Sequence, residues 1–352
     1  MTETQKPLLR AARRLPVDRT PVWFMRQAGR VLPEYRKIKE RHSLLEISAQ
    51  PELCAQVTLQ PLARMPLDAA IVYADIMTPL AGVGVDLDIQ PEVGPVIAHP
   101  IRTRADVERL RPIEPAQDVP YLLETLRIVR RELAPHQALI GFAGAPFTLA
   151  SYLIEGRGTR TFLETKRLMY AAPDVWHELM ARLAGITIHY LRAQAHAGAE
   201  IVQLFDSWAG ALAPNDYREY VAPYSAQIIA GVKEAGVPVI HFAMGASTYL
   251  DQIRDAGADV IGLDWHIPLD AGWATVGHDR AVQGNLDPAV LLAPWERIAD
   301  RAGDVLRRAA NRPGHIFNLG HGLHPSIPVA SVERLVDFVH EQSARHPQSQ
   351  SR

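Results

Sequence analysis

Residues 173–206 read PDVWHELMARLAGITIHYLRAQAHAGAEIVQLFD. Apolar residues recur at helical spacing through 173–198, and the run ends on Gly198, as helices commonly do. The stretch EIVQLFD (200–206) follows almost at once, short and nearly all apolar, which predicts a strand buried on both faces. A helix leading into such a strand is the repeating unit of a parallel sheet covered by helices.

The unit recurs in both directions. Toward the amino terminus lie VWFM (22–25), AAIVYAD (69–75) and ALIGFAG (138–144). Toward the carboxyl terminus lie PVIHFA (238–243), DVIGLDW (259–265), AVQGN (281–285) and HIFNLG (315–320). Eight such runs in one chain of 352 residues favour an α/β fold of one closed (β/α)8 TIM-type barrel over an open doubly wound sheet. Residues 76–100 interrupt the alternation and do not read as helix. The pattern VGVDLDI and the surrounding Gly and Pro predict a hairpin inserted after the second strand, beside the barrel mouth, so the barrel should be distorted. Domain count stays at one, 1–352, with residues 1–10 and 341–352 expected to be flexible ends.

Composition excludes several function classes. The chain is 47% hydrophobic with a formal net charge of -2, so it offers no overall field to gather on nucleic acid. Locally the balance differs: between Lys6 and Arg41 eleven Lys and Arg face only Asp18, Glu34 and Glu40, an excess of +8. The single cysteine, Cys54, rules out an internal disulfide and any site of two or more thiolates, which fits a reducing compartment. No stretch approaches the ~20 apolar residues of a membrane span. The Arg-rich opening MTETQKPLLRAARRL lacks the apolar core of a signal peptide, and the expected location is the cytoplasm.

Polar and small residues stand where the predicted strands stop: Arg26, Asp75, Gly144-Ala145-Pro146, Asp206-Ser207, His241, Asp264, Asn285 and His321. Barrel enzymes build their sites at that end. Every strand must end in something polar, however, so about half of these are expected to be turn formers and caps. In WFMRQAGRVLPEYR (23–36), Arg26 and Arg30 follow the first run, and Pro33 marks the start of a helix. Guanidinium groups stay charged and grip carboxylates or phosphates through paired hydrogen bonds, so a cluster there predicts a polyanionic ligand. The alternative is a surface network with Glu34 and Glu40. Gly29 either lets backbone approach a ligand or makes a plain turn. Asp75 ends an apolar run and needs donors or a cation around it: a substrate's N–H groups, or an arginine of the first loop.

GFAGAPFTLASYLIEG (141–156) is Gly-rich but has neither the Lys-Ser/Thr of a nucleotide loop nor G-x-G-x-x-G. Tyr152 lies on the helix that Pro146 starts, either as a core aromatic or as a site residue. His321 and His324 form an H-x-x-H in NLGHGLHP, where Gly and Pro speak for a loop rather than a helical metal site. No G-x-S-x-G elbow supports a nucleophilic hydrolase.

Taken together, PVWFMRQAGRVLPEYR, DAAIVYADIMTPL, GFAGAPFTLASYLIEG, LFDSWAG and NLGHGLHP resemble the uroporphyrinogen decarboxylase family over about residues 5–340. The resemblance implies a distorted (β/α)8 barrel, a homodimer, and no metal or organic cofactor. It implies loss of carbon dioxide from the four acetate arms of uroporphyrinogen III, giving coproporphyrinogen III. Substrate binding is then expected from Arg26, Gln27, Ala28, Gly29, Arg30, Asp75, Tyr152, Ser207 and His321, with Asp75, Arg26, His321 and Tyr152 as the catalytic set. Lys39 stands where many members carry Arg. Two rivals remain at this stage. A cobamide-dependent methyltransferase shares the barrel but needs His and Cys ligands for zinc, which Cys54 alone does not supply. A tetrapyrrole carrier would keep the cleft without the chemistry.

Overall fold

The computed structural model describes residues 6–90 and 93–344. Proline opens most of the helices that frame the barrel: Pro33–Lys39, Pro51–Arg64, Pro120–Glu132, Pro146–Glu155 and Pro173–His196 each carry it in the first turn, where its missing N–H is no loss. Gly198, past the end of the last of these, has φ +122°, and Gly156, closing the helix before it, has φ +81°. Gly198 turns the chain back to the sheet and Gly156 turns it toward the helix Leu163–Ala171, each in a conformation that a Cβ disfavours.

The strands are β1 (Ala69–Ile71), β2 (Leu87–Gln90), β3 (Gly94–Ile97), β4 (Ala138–Gly144), β5 (Ile201–Asp206), β6 (Val239–Ala243), β7 (Val260–Gly262), β8 (Ala281–Leu286) and β9 (His315–Leu319). Seven of them form one parallel sheet in the order β1-β4-β5-β6-β7-β8-β9, while β2 and β3 pair antiparallel as a hairpin of their own after β1. Almost every residue of the parallel strands is buried, because helices cover the outside and side chains fill the inside.

The eighth position is where expectation and structure part. VWFM (22–25) is not a ladder strand: only Val22 forms a bridge, to Phe317 of β9. Side chains have taken the places of a neighbouring strand. Asp68 accepts the Val22 N–H at 2.8 Å, Gln27 the Phe24 N–H at 2.9 Å, and Asn318 the Met25 N–H at 3.2 Å. The segment still closes the barrel, since Phe317 N–H donates to Pro21 C=O at 2.9 Å on one side and Asp68 N–H to Val22 C=O at 3.0 Å on the other. Beneath the mouth the interior is filled: Trp23 Nε1 donates to Gln283 at 2.9 Å, and Gln283 to Gln203 at 3.0 Å. The barrel is a packed core and not a pore.

Two further expectations need correction. Thr78–Gly82, inside the stretch read as non-helical, is a short helix that Pro79 opens. The ends expected to be flexible are ordered as far as they are described: Pro7–Ala12 is helical with Leu8 and Leu9 buried, Lys6 donates to Gln137 C=O at 2.7 Å and Glu200 at 2.6 Å, and the last helix runs Val329–Ser343. A few buried leucines and one lysine clamp are enough to tie down a terminus. The remainder of those ends, 1–5 and 345–352, lies outside the described residues.

Candidate active site

The RQAGR loop leaves the barrel in an unusual backbone path. Arg26 has φ +63°, Gly29 φ +104° and Arg30 φ +22°. Non-glycine residues rarely adopt positive φ, and such strain persists only where surrounding contacts impose it. Here Gln27 is the clamp: fully buried, it accepts the Phe24 N–H through Oε1 and donates through Nε2 to the Ala69 carbonyl of β1 at 2.8 Å. The loop from Gly320 to Leu323 crosses it, with Leu323 N–H on Met25 C=O at 3.0 Å. Gly322 lies so close that a Cβ there would overlap the Arg26 side chain. Both guanidiniums consequently face a cavity of about 960 Å³ at the carboxyl ends of the strands.

Arg26 and Arg30 have no ion-pair partner among the described residues. The alternative pairing with Glu34 fails because Glu34 sits on Arg64 at 2.6 Å. Burial, and the like charge of Arg30, push Arg26 down to about 10, against the opposing pull of Asp75 and Tyr152. Burial also lowers Arg30. Asp75 lines the same cavity, deep in the protein yet with one face open to it. It accepts the Met77 N–H at 2.9 Å. Burial lifts its carboxyl above the ordinary range, while that N–H and then the two arginines oppose the rise.

His321, Tyr152 and Ser207 also line the cavity. The Nδ1 of His321 accepts the Gly322 N–H at 2.7 Å, which assigns the ring proton to Nε2. Burial first, and then Arg26 and Arg30, push its pKa down to about 4, so the ring is neutral at pH 7. Tyr152 lies against Trp208 with ring centroids 4.1 Å apart, and burial lifts its hydroxyl to about 12. Ser207 is carried by a buried relay in which Thr148 donates to Asp206 at 2.7 Å and accepts the Trp208 N–H at 3.3 Å.

The cavity thus gathers Arg26, Ala28, Arg30, Asp75, Tyr152, Ser207 and His321. It does not include Gln27 and Gly29, which were expected to touch substrate. Gln27 spends both ends of its amide on backbone, and Gly29 turns the loop under the ring of Tyr35, where a Cβ would come within 3.2 Å. Three of the residues at strand ends tie loops together instead, and a fourth stays in the core. Asp206 holds Thr148, Asp264 accepts the Gly245 and His266 N–H groups, Asn285 donates to the Asp264 and Ile267 carbonyls, and His241 is fully buried on the strand face opposite Phe242.

Sequence reading missed the walls. Phe142, Phe205 and Phe242 line one side, with centroids 5.6 Å apart for the first pair and 6.2 Å for the second, and His321 continues the row 6.2 Å from Phe242. Their common inward face could have been read from strand alternation and register. Tyr35, Lys39 and Tyr73 line the cavity too. Cys54 does not: its buried thiol donates to the Tyr73 carbonyl at 3.0 Å, and burial pushes it up to about 12. Among the described residues no three His, Cys, Asp or Glu side chains group in a way that could hold a metal.

A family model for uroporphyrinogen decarboxylases matches residues 3–342. The uroporphyrinogen decarboxylase of Carboxydothermus hydrogenoformans is 53% identical, the alignment covering 96% of each chain. That of Thermobifida fusca is 56% identical, over 98% of this chain and 95% of its own. Among solved structures, a methyltransferase from Methanosarcina mazei superposes with a TM-score of 0.81 at 20% identity, over 96% of this chain and 98% of its own. At that identity the likeness is one of fold.

Proposed function

The chain belongs to the uroporphyrinogen decarboxylase family, and from that premise we propose that its cavity takes uroporphyrinogen III and decarboxylates all four acetate arms, giving coproporphyrinogen III and four molecules of carbon dioxide with no cofactor. The enzyme is a carboxy-lyase of porphyrin biosynthesis. One observation carries the finer reading: Asp75, Arg26 and Arg30 share a cavity of about 960 Å³ with no ion pair among them closing it off. Such a volume is at the large end of small-molecule sites, and an octacarboxylate ligand needs the cations.

The substrate is its own electron sink. Protonating a pyrrole carbon makes the ring cationic. The acetate C–C bond then breaks, its electron pair neutralises the ring, and carbon dioxide departs. A second proton converts the exocyclic methylene to methyl, and the ring releases one proton to regain aromaticity. The net consumption is one proton per arm. Asp75, facing the pyrrole N–H groups as a fixed anion, stabilises the cationic ring more than the neutral one, which is the difference that accelerates a reaction. Its raised pKa is the cost of holding that charge out of water.

The neutral state of His321 argues against an imidazolium as the proton source. Its Nε2–H is instead a fixed hydrogen-bond donor to a substrate carboxylate or carbonyl-like oxygen. Arg26, depressed to about 10, is a better acid than an ordinary arginine and is the better relay for solvent protons. Tyr152 offers a hydroxyl that stays protonated. Among the described residues no helix is long and apolar enough to cross a membrane. The reading extends to a cytoplasmic homodimer, which sedimentation of the purified chain tests for its oligomeric part.

Anaerobic incubation with reduced uroporphyrin III, followed by chromatography, should resolve seven-, six-, five- and four-carboxyl products in succession. An octacarboxylate that binds and is recovered intact would make the protein a carrier and sink the proposal.

A further inference from the structure

Tyr35 and Tyr73 bring their hydroxyls together at 2.8 Å, and both line the cavity. Tyr35 comes from the helix Pro33–Lys39; Tyr73 follows β1 and is held there by a bond from its N–H to Thr58 at 3.0 Å. The rings lie 5.7 Å apart, tilted by 57°. Burial, foremost, raises both hydroxyls above the ordinary tyrosine value, so both keep their protons. A proton count follows. Two hydroxyls carry two protons, and one hydrogen bond uses one of them. Neither hydroxyl has another partner among the described residues, so one O–H is left over in a partly buried position, where an unmet donor is costly.

Cations surround that spare donor. Arg30 lies within electrostatic reach of both tyrosines. Lys39, four residues beyond Tyr35 and so on the same helix face, lines the cavity beside it. A hydroxyl donor flanked by a guanidinium and an ammonium is a receptor for a carboxylate. Which of the substrate's carboxylates it can take follows from the reaction. Hydrogen bonds and cations on a carboxylate stabilise it as an anion, and that stabilisation is lost when it leaves as carbon dioxide. Placed on a reacting arm they would raise the barrier. We infer that the Tyr35–Tyr73 hydroxyl pair, with Arg30 and Lys39, is a subsite for a carboxylate arm that the enzyme retains, and that it registers the macrocycle over Asp75.

This inference rests on the decarboxylation reading, and its test separates the two. Equilibrium binding of the octacarboxylate substrate and the tetracarboxylate product, both reduced and handled anaerobically, would be measured for wild type, Tyr35→Phe, Tyr73→Phe and the double variant. A retained arm is present in both ligands, so the double variant should lose affinity for both by a similar factor, about tenfold for one charge-assisted bond. Each single variant leaves one hydroxyl free to donate directly and should lose no more than about threefold. Thermal midpoints check the fold, and if the double variant is destabilised Tyr35→Phe, on a half-exposed helix, still decides: a small loss, about twofold to threefold, shared by both ligands supports the subsite, and a loss for the octacarboxylate alone or for neither overturns it. Loss of affinity for the octacarboxylate alone would assign the subsite to a reacting arm and overturn the inference. So would unchanged affinity in the double variant, or a wild-type chain that binds neither ligand. Conversion of the octacarboxylate, scored separately, bears only on the reaction.

Discussion

Two aspartates flank β1, and they live in opposite circumstances. Asp68, just before the strand, is fully buried and fully occupied: Arg19 at 3.0 Å, His340 at 2.9 Å and the Val22 N–H at 2.8 Å. Asp75, just after it, keeps one backbone donor and an open face toward two arginines that have no ion-pair partner among the described residues. Both carboxylates are taken out of water, and only one is compensated. The first closes the seam between the 21–23 segment and the sheet. The second is left with capacity to spare, which is what a site needs and what stability does not. The division follows the barrel's two ends, since conserving structure falls to one and chemistry to the other.

Exchanging these circumstances should give the largest effects. Asp75→Asn keeps the acceptor for Met77 N–H but removes the charge, and turnover should fall by about 10²–10³. Its stability should move the other way. A carboxyl whose pKa is raised on folding costs stability once pH exceeds its unfolded value, so removing the charge should leave the thermal midpoint unchanged or higher at pH 7. Wild-type turnover in this variant would remove Asp75 from the chemistry. Asp68→Ala should do the reverse, costing about 3 kcal/mol or more because Arg19, His340 and the Val22 N–H all lose their partner, while the folded fraction retains its kcat. Denaturant titration with activity measured on folded protein separates the two outcomes.

Gly322→Ala is a smaller perturbation of the same contrast. The added methyl has to displace Arg26, and a misplaced cation should lower kcat/KM by roughly tenfold or more with little change in the unfolding midpoint. Equal losses in activity and stability would mean that the loop, and not the guanidinium, had moved. The smallest effect concerns pH. His241, His315 and His321 are each pushed down to about 4 by burial, so the unfolded chain binds protons more readily, and their contribution to stability is lost as pH falls from about 6.5 toward 4. Asp206, pushed up to about 7, has the opposite sign and partly masks that loss. In Asp206→Asn the fall in thermal midpoint between pH 7 and 4.5 should be steeper than in wild type; an equal slope would show that the carboxyl is not protonated in the folded protein.

How much of this could be read from the chain varies by residue. The seven ladder strands and their Pro-opened helices carry period and punctuation in the sequence itself, and RQAGR, Asp75, Tyr152, Ser207 and His321 stand where strand or helix arithmetic puts them. VWFM misled because its composition is that of a strand, whereas Asp68, Gln27 and Asn318 supply its hydrogen bonds from elsewhere in the chain. Gln27 shows the same thing: a polar side chain in a site motif can serve its neighbours' backbone, and here both ends of the amide do. Gly322 and the Tyr35–Tyr73 pair had no local signal, because what matters about them is a distance to a residue far away in sequence.

The sequence by itself determined the barrel, the reaction family and the charged residues that end its strands, since hydrophobic period, turn residues and fixed charges are local properties. Only the tertiary structure decided which of those charges go unanswered. Whether Asp68 or Asp75 finds partners depends on Arg19, His340, Arg26 and Arg30 arriving from other parts of the chain, and pairing is settled by distance in space.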